Sequence, residues 1–157
     1  MDPNHITHLL TAIEVARAAR EHGNHPFGAI LVDAHGQVLL RAENTVNTEK
    51  DATGHAETNL VRLASRHYTP GQLAECTLYT STEPCAMCSG AIHWSGIGRI
   101  VFALSEPALY DMVGPSPEHL LLPSREVFRH TRRPIEILGP APEIDSQARS
   151  VHLGFWR

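Results

Sequence analysis

Thr80-Ser81-Thr82-Glu83-Pro84-Cys85-Ala86-Met87-Cys88-Ser89-Gly90-Ala91-Ile92-His93-Trp94 is the stretch around which this chain is organised. Pro84 fixes its own φ and needs no partner for an N–H, so it suits the first turn of a helix over about Pro84 to Trp94. Cys85 and Cys88 then lie one turn apart on one face. Two thiolates at a helix N-terminus meet unpaired N–H groups and the positive end of the macrodipole, which favour negative charge and lower a thiol's pKa. Two sulfurs do not make a metal site. The third ligand is expected from His55 in Thr53-Gly54-His55-Ala56-Glu57, where a second predicted helix begins.

Upstream, Ile6, Leu9, Leu10, Ile13, Val15, Ala16 and Ala19 recur at helical spacing between about Asn4 and Glu21, and His22-Gly23-Asn24 ends that helix. His5 and His8 on it are expected at the surface. Phe27 to Asp33 and Gln37 to Asn44 are apolar runs joined by Ala34-His35-Gly36, which predicts a β-hairpin. Thr45 to Thr53 has the composition of a loop, and Gly54 to Arg66 returns to helical period. Cys76 to Ser81 is a strand leading into the thiolate helix, and Gly98 to Leu104 is another. A helix between two strands is a crossover, so these two are expected to be parallel neighbours. The last third holds a Pro-rich loop at Gly114-Pro115-Ser116-Pro117, a short helix, a strand at Ile135 to Leu138 and an amphipathic end closing on Phe155-Trp156-Arg157. The pattern is α/β, a mixed sheet with helices on both faces.

At 157 residues the chain fits one domain, residues 1–157. Hydrophobic content of 42% and charged content of 19% are those of an ordinary globular protein. No apolar run approaches the ~18 residues of a membrane helix, and the N-terminus lacks a basic region before an apolar core, so a cytoplasmic location and no membrane partner are expected. A net charge of −4 argues against broad phosphate contact with nucleic acid. Arg125, Arg129, Arg132 and Arg133 cluster late and are expected to form a solvated helix face. Three cysteines do not build a disulfide framework, and Cys76 reads as a small core residue.

A structural zinc site is normally closed by four protein ligands, whereas a catalytic one keeps a position for water. His55, Cys85 and Cys88 are three convincing ligands. His93 is rotated off the thiolate face and Cys76 lies upstream in a strand, so the open site is favoured. Glu57 follows His55 by two residues; at a helix start both can converge on one point, and a carboxylate beside zinc-bound water can move its proton to a leaving group.

His55-Ala56-Glu57 followed by Pro84-Cys85-Ala86-Met87-Cys88 has the pattern of zinc-dependent nucleobase deaminases. The sequence resembles the cytidine and deoxycytidylate deaminase superfamily, in the branch of bacterial guanine deaminases, tRNA adenosine deaminases and fungal cytosine deaminase. The resemblance rests on Pro26-Phe27-Gly28-Ala29, Asn44, His55-Ala56-Glu57, Thr80 to Ala91 and Gly98 to Phe102, and fades after Leu104. It implies a three-layer α/β/α fold on a mixed five-stranded sheet, one Zn2+ per chain held by His55, Cys85 and Cys88, and Glu57 as the catalytic proton shuttle. It also implies that Asn44 binds the ring, that the backbone near Ser81 to Pro84, with Glu83, receives the leaving amine, and that Ala56 and Phe27 lie against the substrate. Trp94, His25 and His93 are candidate pocket residues, and Phe155-Trp156 resembles the aromatic lids of some relatives, the alternative being an anchor for the last helix. A homodimer with the Cys85 helix near its interface is implied as well.

Phe27 is similar to guanine deaminases, while the tRNA enzymes tend to carry a smaller aliphatic residue there. The expected substrate is therefore a free nucleobase or nucleoside, a guanine-like purine ahead of a cytosine-like or amino-triazine ring, with nucleic acid disfavoured. Ser105 to Met112 departs from the guanine deaminase pattern, leaving Glu106, Asp111 or Glu118 to read the ring. A tRNA adenosine deaminase and a non-catalytic structural zinc module stand as alternatives, the latter requiring a fourth protein ligand.

Overall fold

The computed structural model describes residues 1–156. In chain order the elements are α1 (Pro3–Glu21), β1 (Gly28–Val32), β2 (Val38–Glu43), α2 (Val46–Glu49), α3 (Ala56–His67), α4 (Pro70–Leu73) and β3 (Thr77–Thr82). Then come α5 (Ala86–Ser95), β4 (Arg99–Leu104), α6 (Glu106–Val113), α7 (Ser124–Phe128), β5 (Glu136–Leu138), a 3₁₀ turn (Pro142–Ile144) and α8 (Asp145–Ser150). The five strands form one sheet in the order β2-β1-β3-β4-β5. β1 is antiparallel to both β2 and β3, while β3, β4 and β5 run parallel. The crossover through α5 thus makes β3 and β4 parallel neighbours, as a strand-helix-strand unit requires.

Side-chain alternation along the strands divides the core in two. Ile30, Val32, Tyr79, Val101 and Ala103 pack with Leu9, Ile13 and Ala16 of α1 and with Ala148 of α8. Ala29, Leu31, Leu78 and Ile100 pack with Leu60 and Ala64 of α3, Ile92 of α5 and Phe128 of α7. Helices therefore cover both faces. The parallel strands deliver their carboxyl ends, Thr82 and Leu104, to one edge of the sheet, where open α/β sheets place their ligand sites.

α1 closes on β1 at Gly28, where an added Cβ would meet the backbone of Ala12 and Val15 at 2.5 and 2.8 Å and the amide of Ala16 more closely still. None of these atoms can yield as a side chain could. Gly28→Ala is expected to lower stability by about 3 kcal/mol, roughly 10 °C in melting temperature for a chain of this size, read by calorimetry.

Three expectations change. Residues 45–53 are not all loop: α2 forms there because the carboxamide oxygen of buried Asn24 accepts the N–H groups of Asn47 and Thr48 at 3.1 and 3.0 Å. His5 and His8 are not plain surface residues. The His5 Nδ1 lies 2.7 Å from the Tyr79 hydroxyl and the His8 ring 4.9 Å from the Tyr79 ring. Nor is the arginine cluster one solvated face: Arg133 reaches back to the carbonyl oxygens of Ile92, His93 and Ile97, supplying donors to the end of α5. Arg125 does the same for Ile137 and Gly139 at the end of β5. Among the described residues no helix is long and apolar enough to cross a membrane.

Candidate active site

Two helix starts meet at the carboxyl edge of the sheet. His55 is the N-cap of α3 and Cys85 the N-cap of α5, with Cys88 in its first turn. Pro84 lies just before that cap. Its fixed φ helps set the entry to the helix, although the helix begins two residues later than the sequence pattern suggests. The packing of α3 against α5 brings His55 Nδ1 to 3.5 Å from the sulfurs of both Cys85 and Cys88. A tetrahedral zinc with bonds of about 2.3 Å to sulfur and about 2.0 Å to nitrogen spaces its ligand atoms roughly 3.5 Å apart, so this group fits one zinc ion. Among the described residues it is the one cluster of His, Cys, Asp or Glu within ligand distance. Neither His93 nor Cys76 joins it.

The electrostatics suit a cation. The hydrogen bond from Cys88 and then the contact with His55 pull the Cys85 thiol down to about 4, while Cys88, sharing that hydrogen bond and fully buried, is pushed up. A bound zinc would hold both sulfurs deprotonated. Glu57, on the first turn of α3 and only 6% exposed, has its carboxyl pushed up to about 7, mainly by burial and next by the charge on Cys85.

His55, Cys85 and Glu57 form the floor of a cavity of about 480 Å3, with Cys88 fully buried. Phe27 and Trp156 stand on one side, their rings 6.0 Å apart, and Tyr110 and His119, stacked at 3.9 Å, on the other. Thr82, Glu83, Glu106 and Glu118 also reach the walls, as does His25. Two buried oxygens of these walls have no hydrogen-bond partner among the described residues, Thr82 Oγ1 and Glu106 Oε2. Such atoms in a cavity wall are groups for a ligand to satisfy. Burial pushes the Glu106 carboxyl up to about 7.

The structure thus brings together His55, Glu57, Cys85, Phe27, Glu83 and Trp156. It does not bring Trp94 there: this residue is 83% exposed on the far part of α5, turned away from the core that the helix's apolar face fills. His93 stays with it, ring against ring. Asp111 faces a separate groove between α6 and Leu121-Leu122, because helical spacing puts Glu106 and Tyr110, not Asp111, on the cavity side. Ala56 is buried in the α3 core and its side chain is no cavity wall. Asn44, also buried, directly follows β2; its N–H donates to Phe27 O at 3.1 Å and its carboxamide oxygen accepts from Val46 N–H at 3.0 Å, and it does not line the cavity. The Glu83 carboxylate is committed elsewhere, accepting from the N–H of Glu106 and from the N–H and hydroxyl of Ser124. Its N–H donates to Leu104 O at 2.8 Å, so only its carbonyl oxygen remains for a substrate.

Comparison with known proteins follows the same lines. Residues 3–104 match the model of the cytidine and deoxycytidylate deaminase zinc-binding region. The chain belongs to the cytidine and deoxycytidylate deaminase family. This deaminase is 46% identical over 153 residues to a probable cytosine deaminase of Schizosaccharomyces pombe, covering 96% of this chain and 91% of that protein. It is 40% identical over 101 residues to a guanine deaminase of Bacillus subtilis, covering 64% of each. A structure solved in work on A-to-I editing by tRNA:A34 deaminases superposes with a TM-score of 0.69 at 29% identity, covering 92% of this chain and 99% of that one. The α/β fold on a mixed five-stranded sheet is that of this family, and the deaminase is a hydrolase acting on carbon–nitrogen bonds. The sequence pattern reached the floor of its cavity. It missed Thr82, which occupies the strand end just before the cysteine helix, as well as Tyr110 and His119, whose stacking depends on the loop after α6.

Proposed function

We propose that the deaminase removes the exocyclic amine of a free nucleobase or nucleoside, releasing ammonia, as one zinc-dependent catalytic domain. The observation that carries this reading is the metal-ligand cluster and Glu57 at the floor of a cavity whose about 480 Å3 suits a small molecule. His55, Cys85 and Cys88 would hold zinc, which when bound supplies water acidified to a pKa of about 7. Glu57 takes one proton from the water and gives it to the ring nitrogen, then takes the second from the newly bound hydroxyl and gives it to the leaving amine. A C–O bond forms, the C–N bond breaks and ammonia departs past the backbone at Glu83. Phe27 and Trp156 hold the flat ring, Asn44 and Thr82 take its polar edge, and Glu106, which lines the cavity, reads the ring in preference to Asp111.

Phe27 supports a guanine-like purine. The S. pombe relative, matched along 96% of the chain, supports a cytosine-like pyrimidine. The second observation spans more of the chain, so we place the cytosine-like ring first and the purine second, reversing the order expected from Phe27. The aromatic wall at Trp156 and the net charge of −4 support a free ring over a tRNA loop. We also propose a homodimer of these chains, which analytical ultracentrifugation would test.

The test is ammonia release by zinc-loaded protein on cytosine, guanine, isoguanine, adenine, their nucleosides, an amino-triazine and a tRNA anticodon stem. Turnover of one free base or nucleoside supports the proposal; turnover of the tRNA alone overturns the substrate class. On the active ring, Glu106→Gln is expected to raise KM about tenfold, the scale of one charge-assisted hydrogen bond. Asp111→Asn is expected to leave both constants within about twofold, a null effect that KM and kcat on the same ring check.

A further inference from the structure

Behind Trp156, outside the cavity wall, lies a histidine that the chemistry above does not use. His152 is 2% exposed, and its Nδ1 lies 3.1 Å from the indole Nε1 of Trp156. An indole N–H only donates, so that Nδ1 must present its lone pair, which puts the ring proton of a neutral imidazole on Nε2. Nε2 is buried and has no partner among the described residues. An imidazolium here would turn N–H against N–H. Burial, and then the positive charge of Arg20, push His152 down to about 4, in agreement with that geometry. The histidine is the better acceptor for being dry.

The turn that carries it is tied down from the other end of the chain. Arg20, in the last turn of α1, donates to the carbonyl oxygens of Val151 and Leu153 at 2.9 and 2.7 Å, on either side of His152, and stands 5.5 Å over the Phe155 ring. Gly154 at φ +71° lets the chain reverse. The His152 and Trp156 rings then lie 18° from parallel, and Phe27 packs 5.4 Å from His152.

We infer that His152 is a positioning residue that fixes Trp156 as a wall of the cavity by accepting its indole N–H at Nδ1. It touches no substrate. Its loss frees the indole to leave the cavity, so ring binding weakens while proton transfer at Glu57 continues. The inference rests on the small-ring deaminase reading for its effect on KM, but not for its effect on Trp156.

The experiment compares His152→Phe, which keeps an aromatic ring without an acceptor, with His152→Asn, whose carboxamide oxygen takes the place of Nδ1. His152→Gln, with its oxygen near the Nε2 position, is a second acceptor-displaced variant should His152→Phe not fold. All are made in a Trp94→Phe background, so that Trp156 is the only fluorophore of its kind. His152→Phe or His152→Gln is expected to red-shift Trp156 emission, increase its quenching by acrylamide and raise KM about tenfold with kcat within about twofold, and His152→Asn to restore all of these. Unmoved emission and KM in His152→Phe would overturn the inference. So would equal losses in the Asn, Gln and Phe variants with a lower melting temperature, the mark of a packing role. A parent protein that turns over no ring counts against the substrate reading, and Trp156 emission and quenching then decide this inference alone.

Discussion

Glu57→Gln is expected to cut ammonia release on the active ring by about 10³-fold while zinc content stays at one per chain. The size follows from losing a positioned general acid–base, worth about 10²–10⁴ in rate, in a reaction where the same carboxyl moves two protons in turn. Glutamine keeps the shape and can hydrogen-bond water, but it neither takes nor returns a proton. Stability is expected to hold or to rise, because a carboxyl pushed up to about 7 by burial is one the fold keeps ionised only at a cost, and a neutral amide removes that cost. The measurement is single-turnover ammonia release beside metal analysis of the same sample. Full activity in Glu57→Gln would remove this residue from the chemistry. Lost activity together with lost zinc would move it into the metal site.

Cys88→Ser is expected to lose both zinc and activity and, unlike Glu57→Gln, to lose stability. The Cys88 thiol is fully buried where the first turn of α5 meets the start of α3. A metal there couples two helices that otherwise meet through a few apolar side chains, and a ligand bound only by the folded chain stabilises it by RT ln(1 + [L]/Kd). At a free zinc concentration a thousand times Kd that is about 4 kcal/mol, or roughly 10 °C in melting temperature for a chain of this size. Chelation of the parent protein is expected to reproduce the shift and readdition of zinc to reverse it, both followed by calorimetry. A chelated protein that melts unchanged would mean that the helix starts hold their positions without an ion.

What could be read in the sequence was whatever local spacing controls. His55, Glu57, Cys85 and Cys88 stand at fixed offsets from helix starts, so helical geometry alone converges them once α3 and α5 pack. The hairpin and the β3-α5-β4 crossover followed from alternation and handedness. The cavity walls obey no such spacing. Trp94 sits six residues past Cys88 and looked close in sequence, yet lies on an exposed part of α5. Asp111 is one residue from Tyr110 and faces a different groove. Arg133 resembled a surface charge because its partners, the carbonyl oxygens of Ile92, His93 and Ile97, are about forty residues away. α2 was invisible for a similar reason, its cap being Asn24. His152 was unread because its meaning depends on a glycine turn that returns Trp156 to it.

Glu83 gives the deaminase a separable part. One buried carboxylate holds the first N–H of α6 through Oε1 and the start of α7, at Ser124, through Oε2. The intervening chain, including Val113, Pro115, Ser116, Glu118 and His119 of the cavity wall, is therefore a cassette with both ends pinned beside the metal ligands. Closing a flexible loop grows costlier only slowly with its length. The cassette can be lengthened, shortened or exchanged while the hydrolytic floor beneath it stays in register.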